Sequence, residues 1–260
     1  MKPIRIVLLT AAMICGGQAL AQAASQAAVA PQQADILRTA LQKARPGMHI
    51  GEIRPSSIAG MFEVDIGNGD TVYMTADGTH LISGTAYRIE QGKFVNIADE
   101  RLKPERAAKL AAVRKEDMVV FSPEGKPKAY IDVFTDIDCG FCRKLHKEVP
   151  ELNAMGIEVR YMAFPRAGYP SPSADKLATV WCSADRKTTL TQMKSGANLP
   201  VKTCPKNPVE AQYKLGQSLG VNGTPAIFTP DGTLLPGYMP AAELAATLGV
   251  QPAAAAPAKP

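Results

Sequence analysis

Phe134-Thr135-Asp136-Ile137-Asp138-Cys139-Gly140-Phe141-Cys142-Arg143-Lys144-Leu145-His146 is the stretch whose reading decides the fold. A β-branched and aromatic run, Tyr130 to Phe134, leads into it and a segment of helical periodicity follows. The two cysteines therefore stand where a strand turns into a helix. The first turn of a helix carries unpaired backbone N–H groups and the positive end of the helix dipole. A cysteine placed there is favoured as thiolate, its pKa falling from about 8.5 to roughly 3.5–7.5. The second cysteine, one helical turn further in, can attack a mixed disulfide formed by the first. This spacing serves thiol–disulfide exchange, with Cys139 as the exposed nucleophile and Cys142 as its shielded partner.

Three other uses of the pair compete with that chemistry. A structural bridge at this spacing would close almost no loop and add little stability. Haem attachment requires a histidine after the second cysteine, where Arg143 stands. Zinc could draw on Cys182 and Cys204 as well, but these lie far away in sequence and the strand-turn-helix setting favours redox, so no metal and no cofactor is expected. Arg143, Lys144 and His146 add positive potential around the first turn, although such residues flank many exposed helices. A partly exposed helix face is the plainer account of His146.

Outward from the motif, Ile157 to Ala163 reads as a buried strand after a helix that runs to about Met155 and ends at Gly156. Ser173 to Gly220 is helical in pattern, broken at Gly196, Pro200 and Pro205. Ala226-Ile227-Phe228 and Thr233-Leu234-Leu235 form a hairpin around Pro230-Asp231-Gly232, and Pro240 to Leu248 forms a last helix. This is a thioredoxin-like order with an inserted helical subdomain, over residues 117–250. Gly223-Thr224-Pro225 precedes the first hairpin strand. A proline cannot donate to a sheet ladder, so Pro225 belongs at a strand start or a special turn. A cis bond there would turn the Thr224 backbone outward for pairing with a substrate chain. Thr224, Pro225 and the neighbouring Phe141 are the candidate substrate-binding residues.

Upstream of that domain, Pro104 to Lys115 combines a proline suited to a helix start with strong helix formers and few large apolar residues. It reads as a rigid helical linker, residues 99–116; its alternative is the first helix of the second domain. Between residues 32 and 98, Ile36, Leu37, Ala40, Leu41 and Ala44 make a helical stripe. Short extended runs follow at His49–Arg54, Met61–Ile66, Thr71–Thr75, Leu81–Arg88 and Phe94–Ile97. These predict one helix on an antiparallel meander, an N-terminal domain over residues 22–98. His49 and His80 are isolated and read as ordinary surface or strand residues.

The chain of 260 residues is 46% hydrophobic and 20% charged, an ordinary globular balance. Lys2 and Arg5 precede the apolar run Ile6 to Ile14, and Ala19-Leu20-Ala21 offers the small residues a signal peptidase reads, so residues 1–21 are expected to be a removed signal peptide. Its removal lowers the formal charge from +5 to +3, too mild an excess to argue for nucleic acid. It also removes Cys15 and leaves Cys139, Cys142, Cys182 and Cys204. An even number of cysteines in an exported chain points to two bridges. Cys182 and Cys204 flank the helical insertion and read as a structural disulfide contributing about 3 kcal/mol. The alternative, a second shuttle pair, lacks C-x-x-C spacing. Residues 251–260, rich in Ala and Pro, read as a disordered tail.

Taken together, Phe134-Thr135-Asp136-Ile137, Cys139-Gly140-Phe141-Cys142, Lys144-Leu145-His146, Val159-Arg160-Tyr161, Ala163-Phe164-Pro165-Arg166, Trp181-Cys182, Gly223-Thr224-Pro225-Ala226 and Leu235-Pro236-Gly237-Tyr238 resemble the DsbC family of periplasmic protein disulfide isomerases. The N-terminal half matches more in layout than in motif. The usual family active site is Cys-Gly-Tyr-Cys, and Phe141 stands in the tyrosine's place. The resemblance implies a periplasmic, V-shaped homodimer held by the N-terminal domains, with an apolar cleft for misfolded exported proteins carrying wrong disulfides. It implies a membrane reductase, DsbD, that keeps Cys139 and Cys142 reduced. The related DsbG branch lacks the second cysteine pair, so Cys182 and Cys204 favour the DsbC side. A DsbG-like reductant of oxidised cysteines, a dithiol oxidant and a disulfide-independent chaperone are the competing functions.

Overall fold

The computed structural model describes residues 29–67, 69–235 and 237–250. The expected signal peptide, residues 1–21, and tail, residues 251–260, lie outside the described residues. By contacts the chain divides into two compact units, one holding the chain up to Ile66 with Thr71–Ser83, the other Gly67–Asp70 and Gly84 onward.

The first unit is one helix on a four-stranded antiparallel sheet. Helix α1, Pro31–Ala44, buries Leu37 and Leu41. Strands β1 (Ile53–Pro55), β2 (Met61–Gly67), β3 (Asp70–Thr75) and β4 (Leu81–Ser83) follow in spatial order β1-β2-β3-β4. Val64, Val72 and Met74 meet the helix stripe in a small core. The extended run at Leu81–Arg88 proves to be two strands: β4 stays in this sheet, while β5 (Tyr87–Glu90) pairs only with β6 (Lys93–Asn96) as a separate hairpin. Gly84, at φ +153, stands between β4 and β5.

Helix α2 runs Ile97–Ala111, seven residues earlier than the position of Pro104 suggests. Asn96 caps it by accepting from the Asp99 N–H at 3.0 Å, and Pro104 is inside the helix rather than at its start. The few apolar residues conceal a packed face. Leu110 joins the core under the second unit's sheet, and the buried Arg106 donates to Leu219 O at 3.0 Å and lies over the Phe228 ring.

The second unit is built on a five-stranded sheet of order β11-β10-β8-β9-β7. Its strands are β7 (Val119–Phe121), β8 (Ala129–Thr135), β9 (Ile157–Ala163), β10 (Ala226–Phe228) and β11 (Leu234–Leu235). Strands β8 and β9 are parallel, with Val133 opposite Tyr161, and the other pairings are antiparallel. The edge strand β7 is three residues long and carries no pattern that distinguishes it in sequence. Alternation along β8 sends Ile131 and Val133 into the main core and Phe134 into the second core on the opposite face.

The segment after the cysteine motif holds two helices, α3 (Gly140–Lys147) and α4 (Val149–Ala154), where the sequence pattern suggests one. Pro150 sits in the first turn of α4, a place where its missing N–H costs nothing, and divides the run. Gly156 ends α4 at φ +93, which only glycine adopts freely. The insertion contains α5 (Pro172–Trp181), α6 (Arg186–Lys194) and α7 (Val209–Ser218), and α8 (Ala241–Thr247) closes the chain. The protein is thus α+β, a helix-plus-antiparallel-sheet unit followed by a thioredoxin-like unit with a helical insertion.

Candidate functional site

Cys139 is the N-cap of α3. Its sulfur accepts from the Cys142 N–H at 3.2 Å, which satisfies one of the helix's free donors with a sulfur that gains from being negative. The Cys139 pKa is lowered to about 5, chiefly by hydrogen bonding from Cys142, against the opposing effect of burial. Thr224 and the positive charge of Arg166 add to the lowering. Cys142 is fully buried and its thiol is pushed well above the ordinary range, first by desolvation and then by its bond to Cys139. One sulfur is poised as a thiolate and the other held as a thiol; both are unbridged.

Sequence reasoning makes Cys139 exposed, and the structure corrects this: the residue is only 2% exposed. The loop leading into β10 covers it. Thr224 O lies 3.1 Å from Cys139 Sγ and accepts from it when it is protonated. The Thr224–Pro225 peptide is cis. The Thr224 hydroxyl is buried with no hydrogen-bond partner among the described residues. Thr224 therefore meets the nucleophile through its backbone carbonyl. Phe141 is 63% exposed and stacks on Tyr238 with ring centroids 6.1 Å apart, offering an apolar face beside the sulfurs. Lys144 Nζ sits 4.4 Å from the centroid of that Tyr238 ring.

His146 is buried rather than partly exposed. Its Nδ1 is 3.3 Å from the Tyr161 hydroxyl, its Nε2 is 2.9 Å from Thr191 Oγ1, and Phe121 packs edge-on against it. Burial and the nearby positive charge of Lys194 lower its pKa to about 4, so it is neutral at physiological pH and adds no positive potential to the thiolate. The cations that act on the pair come from elsewhere. Arg166 follows β9, and its backbone N–H and guanidinium both engage the buried Asp136 carboxylate, at 2.7 and 3.5 Å. The other oxygen of Asp136 accepts from the Asp138 N–H at 2.7 Å, which ties down the turn into Cys139. Lys194, at the end of α6, reaches Thr135 Oγ1 at 2.8 Å and Asp136 O at 3.3 Å. Lys194 is not singled out by sequence pattern, and Arg166, although it closes the motif Ala163-Phe164-Pro165-Arg166, has no role at the sulfurs legible there, because both arrive through tertiary packing.

Cys182 and Cys204 are bonded to each other in the second unit, across the segment that carries α6. Trp181 beside them donates its indole N–H to Asp117 O at 2.7 Å, fixing the end of α5 to the strand layer.

Comparison with known proteins places this geometry in a family. A thioredoxin-like domain model matches residues 114–251, and the model for the disulfide bond isomerase protein N-terminal domain matches residues 20–99. The thiol:disulfide interchange protein DsbC of Dickeya dadantii is 40% identical over 204 residues, covering 78% of this chain and 82% of that protein. The DsbC of Escherichia coli is 37% identical over 212 residues, 82% of this chain and 86% of its own. A solved disulfide interchange protein from Neisseria gonorrhoeae aligns with 53% of this chain and 96% of its own length at 29% identity and a TM-score of 0.47. With matches of this extent over both halves, the chain belongs to the DsbC family and is a thiol:disulfide interchange enzyme.

Proposed function

We propose that the protein is a disulfide isomerase of exported proteins, acting through Cys139 and Cys142. The observation that carries this is the opposite tuning of the two sulfurs, one lowered to about 5 at the helix cap and the other buried and raised. The Cys139 thiolate attacks one sulfur of a wrong disulfide, forming a mixed disulfide and releasing the other sulfur as a thiolate. A substrate thiolate, either the one just released or one freed by its exchange with another substrate bridge, then attacks the substrate sulfur of the mixed disulfide, making a better-placed bridge and returning Cys139 as thiolate. When the complex stalls, Cys142 loses its proton and attacks Cys139, which frees the substrate reduced and leaves a Cys139–Cys142 bridge. That bridge must be reduced again, a task assigned to a DsbD-like membrane reductase.

Phe141, Thr224 and Pro225 form the substrate-facing rim in this reading, with the Thr224 backbone pairing to an extended segment of substrate. Cys182–Cys204 is a structural bridge, of the kind that persists in oxidising compartments, and with the segment at 1–21 it supports a periplasmic location. In this reading the chain divides into an N-terminal dimerisation domain (22–98), a helical linker (99–116) whose helix packs on the second unit, and a catalytic domain (117–250), supported by family models over residues 20–99 and 114–251. Homodimerisation through the N-terminal domain is supported by β4, an edge strand that exposes Leu81 and Ile82. Chaperone activity would use the apolar surface such a dimer encloses.

Refolding of a scrambled multi-disulfide protein tests the reading. The Cys139→Ala variant should lose reactivation while keeping suppression of aggregation. Full reactivation without Cys139 refutes the mechanism. The redox state of the pair in the exported protein separates the alternatives: mostly reduced fits an isomerase or a DsbG-like reductant, mostly oxidised a dithiol oxidant.

A further inference from the structure

We infer that Lys194 is a positioning residue of the thiol pair: an ammonium buried by the helical insertion against the active-site turn, which favours the thiolate-bearing reduced state and thereby sets the pair's redox poise. The inference rests on the assignment of Cys139 and Cys142 as the redox pair.

Lysine is almost never fully buried without a partner charge, yet Lys194 is 3% exposed. Its two hydrogen-bond acceptors are neutral oxygens, Thr135 Oγ1 and Asp136 O. The second of these also accepts from the Cys139 N–H at 3.3 Å, so the ammonium and the nucleophile's amide share one carbonyl. The Asp136 carboxylate is engaged by Asp138 and Arg166 instead. The charges that act on Lys194 are those of the two sulfurs, Asp136 and Arg143, its own charge acts on His146, and from β9 the Tyr161 ring centroid lies 5.8 Å from its Nζ. His146 and Tyr161 are neutral at physiological pH, the first lowered and the second raised mainly by burial. Arg143 is a fixed like charge. The facing charge that changes during turnover is therefore on the sulfurs.

Burial lowers the Lys194 pKa to about 8, and negative charge on the sulfurs, carried by Cys139 while Cys142 stays a thiol, opposes that fall. Linkage makes the effect reciprocal: a thiolate that holds a proton on Lys194 is itself stabilised by the resulting ammonium. When two glutathione thiols reduce the Cys139–Cys142 bridge, the products are one glutathione disulfide, thiol Cys142 and thiolate Cys139. Two electrons pass to the pair. One of the two thiol protons ends on Cys142, and the other goes to solvent or, where Lys194 is neutral, to its Nζ. Stabilising a reduced form makes a pair more oxidising. The insertion is thus more than a cover for the sheet, since its α6 carries the charge that biases the exchange.

The test is the equilibrium of the full chain with a glutathione redox buffer across pH, together with the ultraviolet absorbance of the Cys139 thiolate. Wild type should show a bend in the pH dependence of the equilibrium near 8. Lys194→Met should lose the bend, shift the equilibrium about tenfold toward the disulfide near neutral pH, and raise the titration midpoint of Cys139 by about one. Lys194→Arg, which keeps the charge at every pH, should recover most of the tenfold shift without the bend. A merely structural lysine would not separate these two effects. An equilibrium and a Cys139 titration in Lys194→Met that match wild type overturn the inference. If Lys194→Met does not fold, the wild-type curve decides, and absence of the bend overturns it. Should Cys139→Ala retain isomerase activity, the site assignment itself fails; should Cys139→Ala be inactive while Lys194→Met is indistinguishable from wild type, only the role of Lys194 fails.

Discussion

The backbone N–H of Cys142 points at Cys139 Sγ from 3.2 Å, so the buried cysteine stabilises the charge on its partner through the main chain while its own thiol stays protonated. Alkylation kinetics should reflect this asymmetry. Because the Cys139 pKa is lowered to about 5, its reaction with iodoacetamide should be nearly independent of pH between about 6 and 8 and fall about tenfold per unit of pH below the midpoint. Cys142 should remain unmodified in the native protein. A midpoint near that of free cysteine, about 8.5, would contradict the N-cap account.

His146 gives a second pH signature, in stability. Its folded-state pKa, about 4, lies below the ordinary 6.5, so the fold favours the neutral ring. The associated stability is complete above pH 6.5 and is lost as pH falls from there toward 4, by an amount on the order of 3 kcal/mol. His146→Gln removes the titrating group and keeps polar atoms for the Tyr161 and Thr191 hydroxyls. The variant should be less stable than wild type near neutral pH but should lose less on acidification, as read from urea midpoints at the two pH values. Equal losses in both proteins would refute the assignment.

The placing of His146 shows what sequence could and could not convey. The strand-turn-helix around Cys139 and the extended run Met61–Ile66 are local patterns, and both elements form where the pattern lies. The division at Pro150 is masked in the sequence by helical periodicity on either side. Strand β7 is three residues long, too short for any period to register. The site residues fall into the same two classes. Cys139, Cys142, Phe141, Thr224 and Pro225 belong to contiguous motifs. The reach of Lys194 and Arg166 to the turn and the buried setting of His146 depend on α6 and the end of β9 folding back onto it, which no local pattern conveys even where, as for Arg166 and His146, the residue itself lies in a motif.

Asp132 is a buried carboxyl outside the site, 3% exposed, with Oδ1 lacking a hydrogen-bond partner. It stands opposite Arg160 on β9 and Phe228 on β10. Desolvation raises its pKa to about 6, although Arg160 opposes the shift. An acid whose folded-state pKa is raised costs stability as pH climbs from its unfolded value, 3.8, through 6, and the full cost is present above that. Asp132→Asn should therefore stabilise the protein by on the order of 2 kcal/mol near pH 8 and by close to nothing near pH 3.5. Thermal or urea unfolding at the two pH values measures this, and a gain of equal size at both would attribute it to packing instead. Isomerase activity should be unaffected, since the groups that chiefly tune the two sulfurs do not include Asp132.

The Cys182–Cys204 bridge should matter to the active site through α6. It closes a loop with a sequence separation of 22, and in the chain-entropy model a loop of that length contributes about 3 kcal/mol. That loop contains Thr191, which holds His146, and Lys194, which holds the turn before Cys139. The double variant Cys182→Ala, Cys204→Ala should accordingly unfold at lower denaturant by about that amount. Hydrogen exchange should rise first at α6 and then at α3, because loosening the insertion frees the Thr191–His146 contact that joins these helices and the Lys194 bonds that hold the turn ahead of α3. The fraction still folded should show a Cys139 alkylation midpoint closer to that of free cysteine. A variant that loses stability while α3 exchange and the Cys139 midpoint stay unchanged would show that the bridge braces only its own loop.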